Sequence, residues 1–128
     1  MCHDKKIILA GDIGGTKTEL GLFEMGKKRP YLKVIETYSS VDYSKFDKIV
    51  QQFLEIHPMD IAGACFGIAG PVINGQCKMT NLSWTVSESL LKKRFKWQSV
   101  LIKNDLVAMA RAIPVLKNPE VYSLSSKW

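Results

Sequence analysis

The most informative stretch of this sequence lies near the amino terminus and reads Leu9-Ala10-Gly11-Asp12-Ile13-Gly14-Gly15-Thr16-Lys17-Thr18. The apolar run at residues 7–10 and a second run at residues 20–23 each predict a buried strand. A Gly-Gly pair between two strands is typical of a hairpin, so we expect the two strands to pair antiparallel. The chain is therefore expected to begin with a β-hairpin whose turn carries an acid and two glycines.

A turn of this kind is suited to binding a phosphate group. Glycines let a ligand approach the main chain closely, and consecutive N–H groups in a turn form a concave site that favours anions. Asp12 lies two residues before Gly14, where its carboxylate can hold Mg²⁺ together with the oxygens of a nucleotide. An ordinary tight hairpin with an acidic turn residue explains the same pattern, and the residues alone leave both interpretations open.

Composition and hydropathy indicate a single domain outside the membrane. The chain has 128 residues, of which 46% are hydrophobic and 23% charged, as in ordinary globular domains with a sizeable core. Lys5 and Lys6 precede an apolar run that Asp12 interrupts, so no signal peptide is predicted. The longest uncharged stretch, residues 61–77, is broken by glycines and a proline, which argues against a membrane span. We expect a cytoplasmic protein.

The net charge of +6 raises the question of a polyanionic partner. The basic residues, however, form separate clusters at residues 5–6, 27–29 and 92–96, without a recognised nucleic-acid motif. The three cysteines, Cys2, Cys65 and Cys77, contain no C-x-x-C pair and agree with a reducing compartment. We therefore expect no nucleic-acid partner.

The middle of the chain predicts a third strand and a helix. Residues 31–38 alternate loosely between apolar and polar side chains, which with the first two strands predicts an antiparallel meander. A helical stripe follows, with Ser44 as the predicted N-cap and Pro58 beyond the carboxyl end. The stripe consists of Phe46, Ile49, Val50, Phe53 and Leu54.

The second half alternates between strands and helices. Residues 61–69 are almost wholly apolar, as in a central strand, and Asn74-Gly75 predicts a type I′ hairpin. A polar loop at residues 80–84 ends in Trp84, which we interpret as a core residue. Residues 85–88 match a Thr-x-x-Glu capping box, which would open a helix with Leu90, Leu91 and Phe95 facing inward.

The last predicted strand, residues 99–102, precedes a third helix that ends at Pro114 and is capped by Asn104 or Asp105. The resulting order predicts one α/β domain over residues 1–128. Its mixed sheet combines a three-stranded antiparallel meander with parallel crossover strands, and helices cover both faces. Ligands bind at the carboxyl ends of strands in such sheets, so we expect Asp12, Gly70 and Asp105 to face one cleft.

Four motifs occur in a characteristic order, at residues 11–16, 67–72, 79–84 and 102–106. In this order and at these separations, residues 6–116 resemble the N-terminal lobe of bacterial glucokinase. This family belongs to the superfamily of sugar kinases and actin, whose fold is ribonuclease H-like. The Met-Thr-Asn-x-x-Trp loop at residues 79–84, together with Asn-Asp-x-x-Ala at residues 104–108, distinguishes the resemblance from more distant sugar kinases.

The resemblance implies a role for each motif in an ATP-dependent phosphorylation of glucose. Asp105 would be the catalytic base for the sugar 6-hydroxyl, and Asp12 would approach Mg²⁺ through water. The residues on the sugar side would be Asn81, Gly70, Pro71, Asn104 and Asp105. The main chain that meets the ATP phosphates would be that of Gly11, Asp12, Ile13, Gly14, Gly15 and Thr16.

Intact glucokinases, as the resemblance implies, have a second and larger lobe that completes both substrate sites. Nothing in residues 1–128 corresponds to it. We therefore expect an N-terminal lobe that alone binds MgATP and glucose weakly and turns over negligibly, since a kinase must clamp both substrates in line. The intact enzyme is expected to be a homodimer.

Several other interpretations remain at this point. Asp105 could be an ordinary helix N-cap. Asp12 and Asp105 could form the carboxylate pair of a two-metal nuclease, although such an enzyme has no need of Gly14-Gly15. A sugar-sensing regulator shares the fold but usually carries an N-terminal DNA-binding motif. Another hexose kinase, for fructose or an amino sugar, is a further alternative, because the second lobe largely sets sugar choice.

Overall fold

Two α-helices and seven strands make up the computed structural model, which describes residues 6–25 and 30–104. The first half contains β1 (Ile7–Ile13), β2 (Lys17–Met25), β3 (Pro30–Ser39), a short 3₁₀ turn (Ser40–Asp42) and α1 (Phe46–Ile56). The second half contains β4 (Ile61–Ile68), β5 (Gln76–Met79), β6 (Trp84–Ser87), α2 (Glu88–Phe95) and β7 (Val100–Lys103).

The main sheet has the strand order β3-β2-β1-β4-β7. The pairs β1–β2 and β2–β3 are antiparallel, whereas β1–β4 and β4–β7 are parallel. The predicted mixed sheet, a meander continued by parallel crossover strands, is therefore confirmed. The remaining strands, β5 and β6, form a separate antiparallel hairpin.

One face of the sheet carries the main core. Side chains from all five strands of the main sheet pack there with both described helices and the β5–β6 hairpin. The strand residues in this core include Leu9, Ile13, Leu20, Leu22, Ala64, Phe66, Val100 and Ile102. On the other face Ile8, Ala10, Phe23 and Cys65 are also buried. The third predicted helix lies outside the described residues.

Aromatic rings hold α1 and the β5–β6 hairpin against the sheet. The Phe46 ring centroid lies 5.0 Å from that of Phe66 in an edge-on arrangement and 6.2 Å from that of Trp84. Trp84 is 2% exposed, and its indole N–H donates to the Tyr43 carbonyl at 3.1 Å. This confirms Trp84 as a core residue, because both the ring and its polar atom are accommodated.

The Asn74-Gly75 turn has the predicted conformation. Asn74 and Gly75 have φ angles of 56° and 71°, the positive pair that a type I′ turn requires. The flanking residues Ile73 and Gln76 exchange two main-chain hydrogen bonds, of 2.9 and 3.1 Å. The predicted hairpin is therefore confirmed.

The predicted capping box at residues 85–88 is wrong. Thr85 lies in β6, opposite Lys78 of β5, and α2 begins two residues later than expected. Ser87 is the N-cap, and its Oγ accepts from the Leu90 N–H at 3.3 Å. Strand pairing after the turn at residues 80–83 overrides the local helix signal. As a result Leu90 is 59% exposed, although Leu91 faces the core as predicted.

The predicted N-cap of the first helix is also wrong. Lys45, not Ser44, occupies the cap position of α1, and no side chain hydrogen-bonds there. The apolar stripe was predicted correctly, because Phe46, Ile49 and Val50 are buried. Packing of this stripe, rather than a cap, therefore fixes the beginning of the helix.

Candidate functional site

The glycine turn between β1 and β2 is tightly closed. Gly14 N–H donates to the Lys17 carbonyl at 3.1 Å. A Cβ atom at Gly14 would lie only 2.8 Å from that carbonyl oxygen, so the turn leaves no room for a side chain at this position. The motif thus needs glycine here for the close approach of one main-chain segment to another.

Two buried hydroxyl groups support the turn from beneath. Ser40 Oγ donates to the Gly14 carbonyl at 2.7 Å, and the Ser40 N–H donates to the Thr16 carbonyl at 2.9 Å. Thr18 Oγ1 lies 2.9 Å from Ser40 Oγ and supplies the hydrogen of that contact, since the Ser40 proton is already engaged. Both side chains are fully buried. Sequence reasoning missed this support, because Ser40 follows β3 in an ordinary polar run.

These contacts engage the carbonyls of the turn and leave N–H groups for a ligand. Within residues 6–25 and 30–104, neither the Gly15 nor the Thr16 N–H donates to a protein acceptor. Gly15 is half-buried and Thr16 is exposed. Adjacent unsatisfied N–H groups on a rigid turn are the arrangement that binds an oxyanion.

Asp12 lies half-buried beside the turn, on the sheet face opposite the main core. It pairs across the hairpin with Glu19 and across the parallel pair with Gly67. Burial, followed by the nearby Glu19 carboxylate, raises the pKa of Asp12, and Lys17 partly opposes the shift. A raised pKa means that ionising Asp12 costs folding stability as the pH rises past its usual range. A cation beside the carboxylate would offset that cost.

Four of the predicted sugar-side residues fall within the described part of the chain, and they lie at the same end of the sheet: Gly70, Pro71, Asn81 and Asn104. The Asn104 side-chain amide donates to the Gly70 carbonyl, next to exposed Pro71. Asn81 Nδ2 lies 4.0 Å from the position that a Cβ on Gly15 would take, so the β5–β6 loop borders the glycine turn. The carboxyl ends of β1 and β4 are joined by a hydrogen bond of 3.4 Å from the Ala69 N–H to the Ile13 carbonyl.

Two further residues of the predicted site are buried, and a third is not among those that the structure describes. Gly11 is buried within β1, between Leu20 and Phe66 of the neighbouring strands. The Ile13 side chain is fully buried in the core, so only its main chain can face a ligand. Asp105, the predicted catalytic base, lies outside the described residues.

The donor set near Asp12 fits a magnesium ion that is shared with a nucleotide. The described part of the chain contains no cluster of three or more His, Cys, Asp or Glu side chains that could hold a metal alone. Mg²⁺ usually takes one or two carboxylates and draws its other ligands from water and substrate phosphates. Asp12 beside a turn whose Gly15 and Thr16 N–H groups have no acceptor among the described residues matches that pattern.

A groove of about 860 Å³ elsewhere in the molecule does not belong to this site. It is lined by Lys6, Met59, Trp97 and neighbouring residues, at the amino ends of β1 and β4.

The described helices, of 11 and 8 residues, both fall short of the apolar length needed to cross a bilayer.

Comparison with known proteins gives the family. A family model described as "Glucokinase" matches residues 9–127. The chain belongs to the glucokinase family. The glucokinase of Escherichia coli O1:K1 is 33% identical over 112 residues, which are 88% of this chain and 34% of that enzyme. The chain thus spans about a third of the length of the glucokinases that it matches.

Solved structures support the same assignment. A glucokinase from an Antarctic psychrotroph has a TM-score of 0.75 and 29% identity, over 87% of this chain and 36% of that one. A ROK family glucokinase from Streptomyces griseus, determined in complex with glucose and AMPPNP, has a TM-score of 0.55 and 18% identity. This alignment covers 78% of our glucokinase-family chain and 33% of the other, and it shows a shared fold.

Proposed function

We propose that this chain is the N-terminal lobe of a kinase that transfers the γ-phosphoryl group of ATP to the 6-hydroxyl of glucose. One observation carries the proposal beyond family membership. The glycine turn, in which two N–H groups have no acceptor within the described chain, borders Asn81 and lies at the same sheet end as the Asn104–Gly70 contact. This proximity supports a phosphate site and a polar sugar site that lie side by side.

The phosphate side of the proposed site uses the main chain. The N–H groups of Gly15 and Thr16 would bind phosphate oxygens of ATP, and the Ser40 contacts keep the turn in the required shape. Asp12 would hold Mg²⁺ through water, and the ion would supply charge neutralisation to the transferring phosphoryl group.

The sugar side uses Asn81, Asn104, Gly70 and Pro71 to bind and orient the hexose. We assign the role of base to Asp105, the neighbour of Asn104 in sequence. Its carboxylate accepts the 6-hydroxyl proton as that oxygen bonds to the γ-phosphorus, and ADP leaves as the bond to its β-phosphate oxygen breaks. Phosphoryl transfer depends mainly on positioning and charge stabilisation, so a carboxylate of ordinary basicity is sufficient.

A second lobe completes the proposed enzyme. Residues 1–128 cover 34% of the E. coli glucokinase, which supports their interpretation as one lobe of two. We expect this lobe alone to bind both substrates weakly. A cytoplasmic location and a homodimer of the intact enzyme remain predictions.

The direct test is an assay of the complete gene product with MgATP and glucose, coupled to detection of glucose 6-phosphate. We expect efficient product formation, and negligible turnover when the 128-residue chain is assayed alone. Fructose and N-acetylmannosamine serve as competing substrates. A clear preference for either of them would show that the substrate is that sugar and not glucose. Absence of any phosphorylated sugar would refute the proposal.

The support beneath the turn yields a second prediction. Ser40→Ala removes the hydrogen bond to the Gly14 carbonyl, and we expect the KM for ATP to rise about five- to tenfold, as one buried hydrogen bond suggests. The KM for glucose is expected to stay within about twofold, because Asn81 and Asn104 lie on other elements. Ser39→Ala, at the exposed neighbouring serine, is the matched control. Equal effects on both substrates would contradict a specific role in the turn.

A further inference from the structure

The carboxylate of Glu88 lies against two separate parts of the fold, β7 and the Asn74-Gly75 turn. Glu88 Oε2 accepts a hydrogen bond of 2.8 Å from the main-chain N–H of Ile102, which lies 14 residues further along the chain. Glu88 is the first residue of α2, and Ile102 lies in β7. In the predicted capping box this side chain would have turned back to its own helix. It reaches across to the sheet instead.

The contact with Ile102 satisfies a main-chain group on the side of β7 where the structure describes no further strand. Among the described strands, β7 is the last one in the sheet order and pairs on one side only, with β4. An edge strand leaves every second N–H without a ladder partner. The Glu88 carboxylate is the acceptor for the Ile102 N–H in place of a strand carbonyl. A charged acceptor makes a stronger hydrogen bond than a neutral one.

The other oxygen of Glu88 lies against the Asn74-Gly75 turn. A Cβ atom at Gly75 would lie 2.4 Å from Glu88 Oε1, so a larger residue there would collide with the carboxylate. The Glu88 N–H donates to the Gly75 carbonyl at 2.9 Å. Gly75 is therefore required twice, for its φ of 71° and for the space that Glu88 occupies.

These contacts join the two segments that carry the sugar-side asparagines. Beyond Ile102, β7 leads through Lys103 to Asn104, whose amide donates to the Gly70 carbonyl. Beyond Gly75, β5 leads to the loop that holds Asn81. We propose that Glu88 is a positioning residue that fixes the ends of these segments and thereby the sugar side of the site. The sugar role in this proposal rests on the proposed function.

The first test compares Glu88→Ala with Glu88→Gln in the complete gene product. For Glu88→Ala we expect kcat/KM for glucose to fall about 10- to 100-fold, since small misplacements of binding groups are costly. The KM for ATP should stay within about twofold, because Ser40 supports the glycine turn independently. Glu88→Gln keeps an oxygen acceptor for Ile102 and should recover most of the loss. Lys92→Ala, at an exposed position of α2, is the control.

A second measurement does not depend on turnover. Amide hydrogen exchange of residues 100–104 should be faster in Glu88→Ala than in the parent protein, and close to the parent rate in Glu88→Gln. Unchanged exchange, an unchanged kcat/KM for glucose, equal losses in the two variants, or equal effects on glucose and ATP would each overturn the proposal. A parent protein that is inactive on glucose but shows the exchange difference would refute the proposed function while supporting the contact between Glu88 and β7.

Discussion

Asp105→Asn is expected to lower kcat for glucose phosphorylation by about 10²- to 10⁴-fold in the complete gene product. The amide has nearly the shape of the carboxylate but cannot accept the 6-hydroxyl proton. The KM values for glucose and ATP should change little, because Asn104 and the glycine turn are untouched. Steady-state kinetics with both substrates varied would separate a loss of chemistry from a loss of binding.

The matched control is Asp60→Asn, which makes the same chemical change at an exposed residue before β4. It should leave kcat within about twofold, as expected of surface substitutions that touch no site. If the Asp105→Asn enzyme had the parent kcat, Asp105 would not be the catalytic base, and its interpretation as a helix N-cap would be favoured. Mg²⁺-dependent cleavage of nucleic acid without ATP would instead favour the two-metal nuclease.

Trp84→Ala is expected to reduce the free energy of unfolding by about 3 to 5 kcal/mol. The side chain is 2% exposed and packs near Phe46, where its removal would leave a large cavity between α1 and the sheet. The variant would also leave the Tyr43 carbonyl without its indole donor. Urea titration of the parent and variant proteins, followed by circular dichroism, measures the difference.

Two further variants separate the contributions at Trp84. Trp84→Phe keeps most of the ring volume but loses the hydrogen bond to the Tyr43 carbonyl. This loss should lower the free energy of unfolding by about 1 kcal/mol, in addition to the effect of the smaller ring. Leu90→Ala removes an apolar side chain that is 59% exposed and should change stability by less than about 0.5 kcal/mol. If Trp84→Ala were as mild as Leu90→Ala, the ring would not be a central part of the core.

Much of the sheet could be predicted because its signals are local. The Gly14-Gly15 pair and the apolar runs beside it identified the first hairpin, and the apolar stretch that became β4 identified a central strand. Asn74-Gly75 identified a turn whose positive φ angles few other residue pairs adopt. In each case the local preference agreed with the final packing.

Predictions failed where a distant partner decided the outcome. Thr85 matched a helix-capping pattern, yet pairing with Lys78 drew it into a strand. The contact of Ser40 with Gly14 and that of Glu88 with Ile102 join segments far apart in sequence, and no periodicity marks either. The candidate site residues were named from motifs and stay a prediction. The proximity of Asn81 to Gly15 needed the folded chain.

The hydroxyl pair beneath the glycine turn has a consequence for genetic screens. If nucleotide is bound by main-chain amides, alanine scanning of the exposed loop would score Thr16 and Lys17 as tolerant. Loss-of-function alleles would instead accumulate at Ser40 and Thr18, two fully buried positions beneath the turn. A mutational map of this lobe would therefore show the most sensitive positions in the interior, beneath the main-chain amides that bind the nucleotide.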